Sequence, residues 1–248
     1  MPNVIGIIPS RFKSSRFPGK PLAMLAGLPL IVRVIHTAQC SHRLSDIYVA
    51  TDDHRIADVV QKHGGKVIMT GAHHSTGSDR VAEAALKISA DYIINIQGDE
   101  PFLGEDVIDK VVEALDEPNV VMSSSCSPIS DMADLENPNV VKVVLDKSNL
   151  ALYFSRSRIP YVREDANYQR FFRHIGIYGF KRDFLFKFAQ LPRTPLEIAE
   201  SLEQLRALEH GFKIKMTISN CEFVGIDSPE DLHKAEEILA KREMKDAR

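Results

Sequence analysis

Residues 4–20 read VIGIIPSRFKSSRFPGK, an apolar run followed at once by a basic loop. The run at 4–8 predicts a buried strand. The loop after it has no acidic residue and four basic ones, Arg11, Lys13, Arg16 and Lys20. Fixed cations and backbone N–H groups at the carboxyl end of a parallel strand suit phosphate. The alternative interpretation is a solvated basic loop.

Strand and helix patterns alternate outward from this stretch. The predicted strands of the first half are 4–8, 47–51, 67–70 and 92–97, and the predicted helices are 30–39, 55–63, 79–88 and 107–115. Alternation of this kind predicts a parallel sheet with helices on both faces.

The pattern changes after residue 118. Strands are predicted at 120–126, 140–146, 175–180 and 213–218, a loop at 153–160, and helices at 198–209 and 228–241, the last capped by Ser228. No linker divides the chain, so we predict a single α/β domain over residues 1–248. Its sheet is mixed and mainly parallel, with a small antiparallel subdomain.

Composition excludes several classes of protein. The 248 residues have a net charge of −3, so the basic loop is local and no nucleic-acid partner is expected. No apolar stretch is long enough for a membrane span, and the start of the chain lacks the pattern of a leader. Cys40, Cys126 and Cys221 lack metal-ligand spacing and are expected to be free thiols in a reducing cytoplasm.

The basic loop contains neither GxxxxGK[ST] nor GxGxxG, so it differs from the usual phosphate-binding loops. Arg11 and Arg16 offer planar guanidinium groups for bidentate phosphate contacts, and Lys20 offers a compact charge. The loop is therefore a candidate phosphate site of another type.

Two carboxylates are candidate metal ligands. Asp99 follows the strand at 92–97 within IQGDEP and is expected to face the same crevice, where it would hold Mg²⁺ on phosphate oxygens. Asp227, in GIDSPEDL, is the candidate second carboxylate. The alternatives are a turn at Gly98-Asp99 and helix capping at Asp227.

Weaker signals lie between these motifs. Ser78 and Arg80 open a helix and suit a nucleotide, unless they only form a capped helix start with a paired arginine. His174 and Tyr178 are expected to share a strand face. With Arg156 and the helical Glu203 and Gln204, they suit a polyhydroxylated acid, although a lone histidine is more often structural.

The chain resembles the 3-deoxy-manno-octulosonate cytidylyltransferase (CMP-Kdo synthetase) family along nearly its whole length. The matching segments are IIPSRFKSSRFPGKPL (7–22), ATDD (50–53), TGSDRVAEA (76–84), NIQGDEP (95–101), ALYFSRSRIP (151–160), HIGIYGF (174–180), LEQLRALEHG (202–211) and GIDSPEDL (225–232). Ser10, Phe12 and Phe17 depart from the residues common in the family, but they leave the cations in place.

The resemblance implies a nucleotide-diphospho-sugar-transferase-like fold and a reaction of CTP with 3-deoxy-D-manno-octulosonate (Kdo), which gives CMP-Kdo and pyrophosphate. It also implies Mg²⁺, a cytoplasmic location, a role in lipopolysaccharide synthesis and a homodimer. The elements for sugar binding and dimerisation are expected mainly within residues 120–220.

The resemblance also assigns roles to residues. The expected catalytic set is Arg11, Arg16, Lys20 and Asp99, with Asp99 and Asp227 on the metal. The first three cations bind the triphosphate, and Ser78, Arg80 and Gln97 lie near the nucleotide. The expected sugar-binding set is Arg156, His174, Tyr178, Glu203 and Gln204.

Three other functions stay open at this point. The first is a cytidylyltransferase whose acceptor is another acidic sugar, 8-amino-Kdo or sialic acid. A glycosyltransferase that uses a nucleotide-sugar would favour a DxD motif, which Asp52-Asp53 is not. A non-catalytic nucleotide-binding domain would not need the proposed cations and carboxylates.

Overall fold

The computed structural model describes residues 1–13, 17–164, 170–220, 225–226 and 228–246. Its strands are β1 (Val4–Ser10), β2 (Met24–Leu25), β3 (Leu28–Pro29), β4 (Asp46–Thr51), β5 (Lys66–Met69), β6 (Tyr92–Ile96), β7 (Met122–Pro128), β8 (Lys142–Leu145), β9 (Ala151–Ser155), β10 (Phe172–Lys181) and β11 (Lys215–Ile218).

The helices are α1 (Leu30–Gln39), α2 (His54–Lys62), α3 (Gly77–Ala85), α4 (Glu105–Asp116), α5 (Met132–Glu136), α6 (Arg182–Gln190), α7 (Pro195–Glu200), α8 (Gln204–Glu209) and α9 (Pro229–Asp246). A 3-10 turn covers Lys20–Leu22.

Nine of the strands in the described ranges form one mixed sheet. The order is β11-β7-β10-β6-β1-β4-β5, and β8 pairs with both β10 and β9. Strand β1 is parallel to β4 and β6, whereas β10 is antiparallel to β6 and β7. Strands β2 and β3 form a separate antiparallel pair. The predicted fold class is confirmed.

Both faces of the sheet are buried, which explains the continuous apolar run of β1. Ile5 and Ile7 belong to a core that includes α3 and α6. Val4 and Ile8 point to the opposite face, where the core includes α1, α2 and α4. A third, smaller core under α9 contains Leu25 and Ile226.

The strand order reverses beside β1. The chain leaves β1 through α1 to β4 on one side, and later returns as β6 on the other. In open α/β sheets the carboxyl ends of two such strands flank a crevice that binds ligands. The loops after β1 and β6, which contain the basic residues and Asp99, therefore lie at this crevice.

The second half differs from the prediction in several elements, among them helix α5, which was not predicted. The predicted helix at 198–209 is two helices, α7 and α8, because Ser201 adopts a left-handed conformation with φ 53°. The predicted loop at 153–160 begins with the end of strand β9, and helix α6 was not predicted. Ser228 does cap α9, since its Oγ accepts the N–H of Asp231 at 3.3 Å.

Two of the three cysteines lie in the described residues. Cys40 is exposed and Cys126 is buried, both as free thiols, and burial raises the pKa of Cys126 to about 12. Cys221 lies outside the described residues. None of the helices in the described part of the chain has the length and apolar character that a membrane span requires.

Candidate active site

The basic loop after β1 is closed by a tight turn at Gly19. The Gly19 N–H donates to the carbonyl of Phe12 at 3.0 Å, and Gly19 has φ 75°. The Phe12 ring packs against Gly19 on one side, and the guanidinium of Arg55 stacks 3.4 Å from its centroid. Arg11 in this loop is exposed, and Arg16 lies outside the described residues.

Lys20 joins the basic loop to the loop after β6. Its ammonium donates to Asp99 Oδ2 at 2.7 Å and to the carbonyl of Ile226 at 2.9 Å. The Ile226 N–H in turn donates to the Asp99 carbonyl at 3.0 Å. Three segments that are remote in sequence thus meet at Lys20. Asp227 lies outside the described residues.

A pocket opens at this point. It is lined by residues 9–11, 20–21, 74–77, 80 and 97–99, so it brings together the predicted Arg11, Lys20, Arg80, Gln97 and Asp99. Ser10 Oγ, at the end of β1, is buried and has no hydrogen-bond partner among the described residues. Buried polar atoms are normally paired, so this hydroxyl is suited to a bound ligand.

Arg80 is held rigidly in the wall of the pocket. Thr76 caps α3 through a reciprocal pair of hydrogen bonds with Asp79. Arg80 donates to Thr70 Oγ1 at 2.6 Å and pairs with Asp52 at 3.0 Å. This geometry is the alternative that the sequence left open, a capped helix start with a paired arginine. Arg80 nevertheless lines the pocket.

A series of hydrogen bonds between polar side chains leads away from the pocket, and its middle members, Asn95 and Ser78, are buried. Gln97 donates to Asn95 at 3.1 Å, Asn95 donates to Ser78 Oγ at 3.1 Å, and Ser78 donates to Glu203 Oε1 at 2.7 Å. Burial raises the pKa of Glu203, although the Ser78 hydrogen bond opposes the rise. These hydrogen bonds connect the predicted nucleotide-binding residues to the predicted sugar-binding residues.

Asn95 in this series was not identified from the sequence. It lies in the apolar run YIINI of β6 and is fully buried. An amide among apolar residues in a buried strand was the signal that could have found it, because a buried amide requires partners.

His174 and Tyr178 lie side by side, with ring centroids 5.4 Å apart. His174 Nε2 is 2.8 Å from Ser124 Oγ, and the ring meets Phe154 edge-on. Burial lowers the pKa of His174 to about 3, so the imidazole is neutral at physiological pH. Burial also raises the pKa of Tyr178, helped by the nearby Glu203, and keeps the phenol protonated.

Gln204 completes this cluster. Tyr178 donates to Gln204 Oε1 at 3.0 Å, whereas the buried Gln204 Nε2 has no hydrogen-bond partner within the described part of the chain. The structure therefore gathers four of the five predicted sugar-binding residues into one polar cluster, in which Tyr178 and Gln204 are buried and His174 and Glu203 are half-buried.

Arg156, the fifth, is engaged with backbone carbonyls. Its Nε donates to Glu200 O at 2.8 Å and its Nη1 to Pro138 O at 3.0 Å. Beneath it, the fully buried Lys142 donates to the carbonyls of Arg156, Val140 and Asn137. The guanidinium thus braces the segment that leads into the turn at Ser201, and its role toward a sugar stays a prediction.

A buried ion pair fixes the two helices that flank Glu203. Arg206 on α8 donates to Glu197 on α7 at 2.6 Å and 2.9 Å. Burial by itself would raise the pKa of Glu197, but the hydrogen bonds and charge of Arg206 hold that pKa below its usual value. Sequence reasoning named the segment but missed this pair, because the turn between the helices was not predicted.

Comparison with known protein families gives an extensive match. A family model described as cytidylyltransferase matches residues 5–216. Among curated proteins, the 3-deoxy-manno-octulosonate cytidylyltransferase of Geobacter sulfurreducens is 46% identical over 248 residues, covering 96% of this chain and 99% of its own. The protein of the same name from Bacteroides thetaiotaomicron is 47% identical over 248 residues, covering 96% and 98%.

Solved structures agree with the sequence matches. A structure described as CMP:2-keto-3-deoxy-manno-octonic acid synthetase complexed with CTP superposes with a TM-score of 0.92 at 38% identity, covering 97% of this chain and 99% of the other. The 4-diphosphocytidyl-2C-methyl-D-erythritol synthase of Anaerococcus prevotii has a TM-score of 0.64 at 14% identity, covering 96% and 98%, and shares the fold.

Proposed function

The chain belongs to the cytidylyltransferase family, among the 3-deoxy-manno-octulosonate cytidylyltransferases, and we propose here how its site carries out the transfer. The enzyme transfers CMP from CTP to Kdo and releases pyrophosphate. The observation that supports this function most directly is the pocket at the strand-order reversal, where Lys20 and Asp99 meet.

The reaction is an in-line displacement at phosphorus. The anomeric hydroxyl of Kdo forms a new bond to the α-phosphorus of CTP, while the bond from that phosphorus to the oxygen bridging to the β-phosphate breaks. Pyrophosphate leaves with the electron pair, and the hydroxyl proton is released. Because little covalent chemistry falls to the protein, positioning and electrostatic stabilisation dominate the catalysis.

Arg11 and Lys20 offset the charge of the triphosphate, together with Arg16 outside the described residues. Lys20 presents a compact ammonium that can exchange Asp99 for a phosphate oxygen when CTP enters. Ser10 Oγ offers a donor that lacks a partner in the described residues. These groups favour the departing pyrophosphate, on which negative charge accumulates.

Asp99 is suited to hold Mg²⁺, with Asp227 as the second carboxylate from the sequence. The Asp99 side chain is 30% exposed at the pocket and already binds a cationic group, the ammonium of Lys20. Hard oxygen donors of this type are those that Mg²⁺ prefers. When bound, the ion would offset phosphate charge and lower the pKa of the attacking hydroxyl.

The two substrates are recognised at opposite ends of the hydrogen-bond series from Gln97 to Glu203. Arg80 and Gln97 line the pocket and bind the nucleotide, and Ser78 orients Gln97 through Asn95. On the other side, His174, Tyr178, Glu203 and Gln204 bind sugar hydroxyls. The unpartnered Gln204 Nε2 supports this assignment. Arg156 binds the Kdo carboxylate or holds the segment that does.

The enzyme acts as a homodimer in the cytoplasm, where it supplies lipopolysaccharide synthesis. The sheet offers a surface for the partner, since β9 pairs with β8 alone among the described strands. Leu152 on β9 and Ile198 on α7 expose 61% and 57% of their surface. Sedimentation should give a dimer, and Leu152→Glu should weaken it, whereas Leu86→Glu, at an exposed leucine beyond α3, should not.

A pyrophosphate-release assay tests the proposed function. With Mg²⁺ present, CTP is combined in turn with Kdo, 8-amino-Kdo and sialic acid, and Kdo with UTP and ATP. We expect CTP with Kdo to give the highest kcat/KM by at least about tenfold. A higher kcat/KM with another sugar acid would identify that acid as the acceptor instead of Kdo. Absence of pyrophosphate release with every combination would contradict nucleotidyl transfer.

A further inference from the structure

Three side chains with metal-binding atoms converge where the loop after β5 meets α3. They are His73, His74 and Glu83, and one ligand atom from each lies within 4.8 Å of the other two. His74 Nε2 already contacts Glu83 Oε2. The proposed transfer gives none of the three residues a role, although His74 lines the nucleotide pocket.

Gly71 allows the cluster to form. Its N–H donates to Glu83 Oε2 at 2.9 Å, which orients the carboxylate. A Cβ at this position would lie 2.6 Å from His73 Nδ1 and 3.4 Å from Glu83 Oε2. A side chain at position 71 would therefore collide with the His73 ring, and glycine leaves the space that the ring occupies.

The donor set suits a borderline cation. Two imidazole nitrogens and one carboxylate oxygen are a common set for Zn²⁺, with one coordination position left for water or another ligand. Tetrahedral coordination at usual bond lengths needs donor atoms about 3.3 Å apart. The three ligand atoms, each within 4.8 Å of the other two, are close enough together for one ion to contact all of them.

Access and nearby charge are compatible with an ion. The His73 side is exposed, whereas His74 and Glu83 are 9% and 27% exposed, so the site opens to solvent on one side. Lys87 is the neighbouring cation, 3.9 Å from Glu83 Oε1, the oxygen that does not contact His74. It also donates to the carbonyl of Met69 at 2.6 Å, which holds it to the loop.

We propose that His73, His74 and Glu83 bind a borderline divalent cation such as Zn²⁺, at a site made of different side chains from the Asp99 magnesium site. The ion would tie the loop at 71–74 to α3. His74 also lines the nucleotide pocket, next to Thr76 and Gly77. Binding at this site would therefore brace one wall of that pocket.

Metal binding by the full chain tests the proposal without an activity assay. Protein stripped with a chelator is titrated with Co²⁺ and with Zn²⁺, by visible absorption and equilibrium dialysis, in the presence of excess Mg²⁺. We expect one equivalent to bind and Zn²⁺ to displace Co²⁺. His73→Ala, at an exposed position, should lower the affinity at least about tenfold.

The control is His36→Ala, an exposed histidine on α1, which should bind as the wild type does. Circular dichroism checks that each variant is folded, and Glu83→Gln provides a second substitution in the cluster. Absence of stoichiometric binding would overturn the proposal. Equal affinity in the wild type and His73→Ala, or complete displacement by Mg²⁺, would also overturn it.

Discussion

Lys20 Nζ and Asp99 Oδ2 lie 2.7 Å apart, so an ion pair joins the loops that follow β1 and β6. These loops flank the point where the strand order reverses. The pair keeps a cation and a carboxylate together in the free protein. In the proposed mechanism CTP and Mg²⁺ would separate them, because Lys20 would move to phosphate and Asp99 to the metal.

Replacement of Lys20 should lower the efficiency with which the enzyme uses CTP. Lys20→Gln removes the charge and should lower kcat/KM for CTP by at least about 100-fold, or about 2.7 kcal/mol. Steady-state kinetics measures the effect. Lys13→Gln is the matched control, because Lys13 is an exposed cation of the same loop, and it should stay within about threefold of wild type.

Arg156 should act on the sugar and on the turn that it braces. Arg156→Ala is expected to raise the KM for Kdo by about tenfold or more and to leave the KM for CTP nearly unchanged. Arg156→Lys should not restore the function, because the single ammonium of lysine cannot replace the planar guanidinium that donates to two separate carbonyls. Arg158→Ala, which alters an exposed pair with Glu136, is the control. An effect confined to CTP would be inconsistent with the assignment.

The Glu197–Arg206 pair should contribute to the stability of the folded protein, because it joins helices α7 and α8 next to the predicted sugar-binding residues. Arg206→Met leaves a carboxylate that is 1% exposed without its main partner, and should lower the free energy of unfolding by about 3–5 kcal/mol. The double variant Glu197→Gln/Arg206→Met should lose less. Urea denaturation measures both.

Arg193 supplies the control for this pair, since it approaches Glu197 from an exposed position. Arg193→Met should change the free energy of unfolding by less than about 1 kcal/mol. If Arg193→Met and Arg206→Met lower the free energy of unfolding equally, burial of the Glu197–Arg206 pair does not determine how much it stabilises the protein.

His174 should make the protein sensitive to acid. Its pKa is about 3 in the folded protein and about 6.5 in the unfolded chain, so the unfolded chain takes up the proton first. The stability is fully present above about pH 6.5 and falls as the pH decreases, by about 2 kcal/mol between about pH 7.5 and about pH 5. Urea denaturation at several pH values should show this component in wild type. His174→Gln should lack it, and an unchanged pH dependence would refute the assignment.

Periodicity predicted the first half of the fold well. Helix α1 has the predicted bounds, and the strand at 4–8 is part of β1. These elements are buried on one or both faces, so their apolar spacing is regular, and α1 starts directly after Pro29. Helices α7 and α8 were predicted as one helix because a left-handed residue at Ser201 leaves no mark in the apolar spacing.

The site was predictable where motifs follow strand ends. Lys20 and Asp99 are found together because parallel strands deliver their carboxyl ends to one edge. The relation between Ser78 and Glu203, 125 residues apart, depends on how α3 and α8 pack and is not visible in local patterns. The use of Arg156 on backbone carbonyls likewise depends on the turn at Ser201.

The decisive measurement of the role of Asp99 is the rate of CMP-Kdo formation from CTP, Kdo and Mg²⁺ by wild type, Asp99→Asn and Asp58→Asn. Asp58 is an exposed carboxylate on α2 and serves as the control. We expect an active wild type, a loss of at least about 1,000-fold for Asp99→Asn and less than about a twofold change for Asp58→Asn. An Asp99→Asn variant that forms CMP-Kdo at nearly the wild-type rate would contradict this role of Asp99.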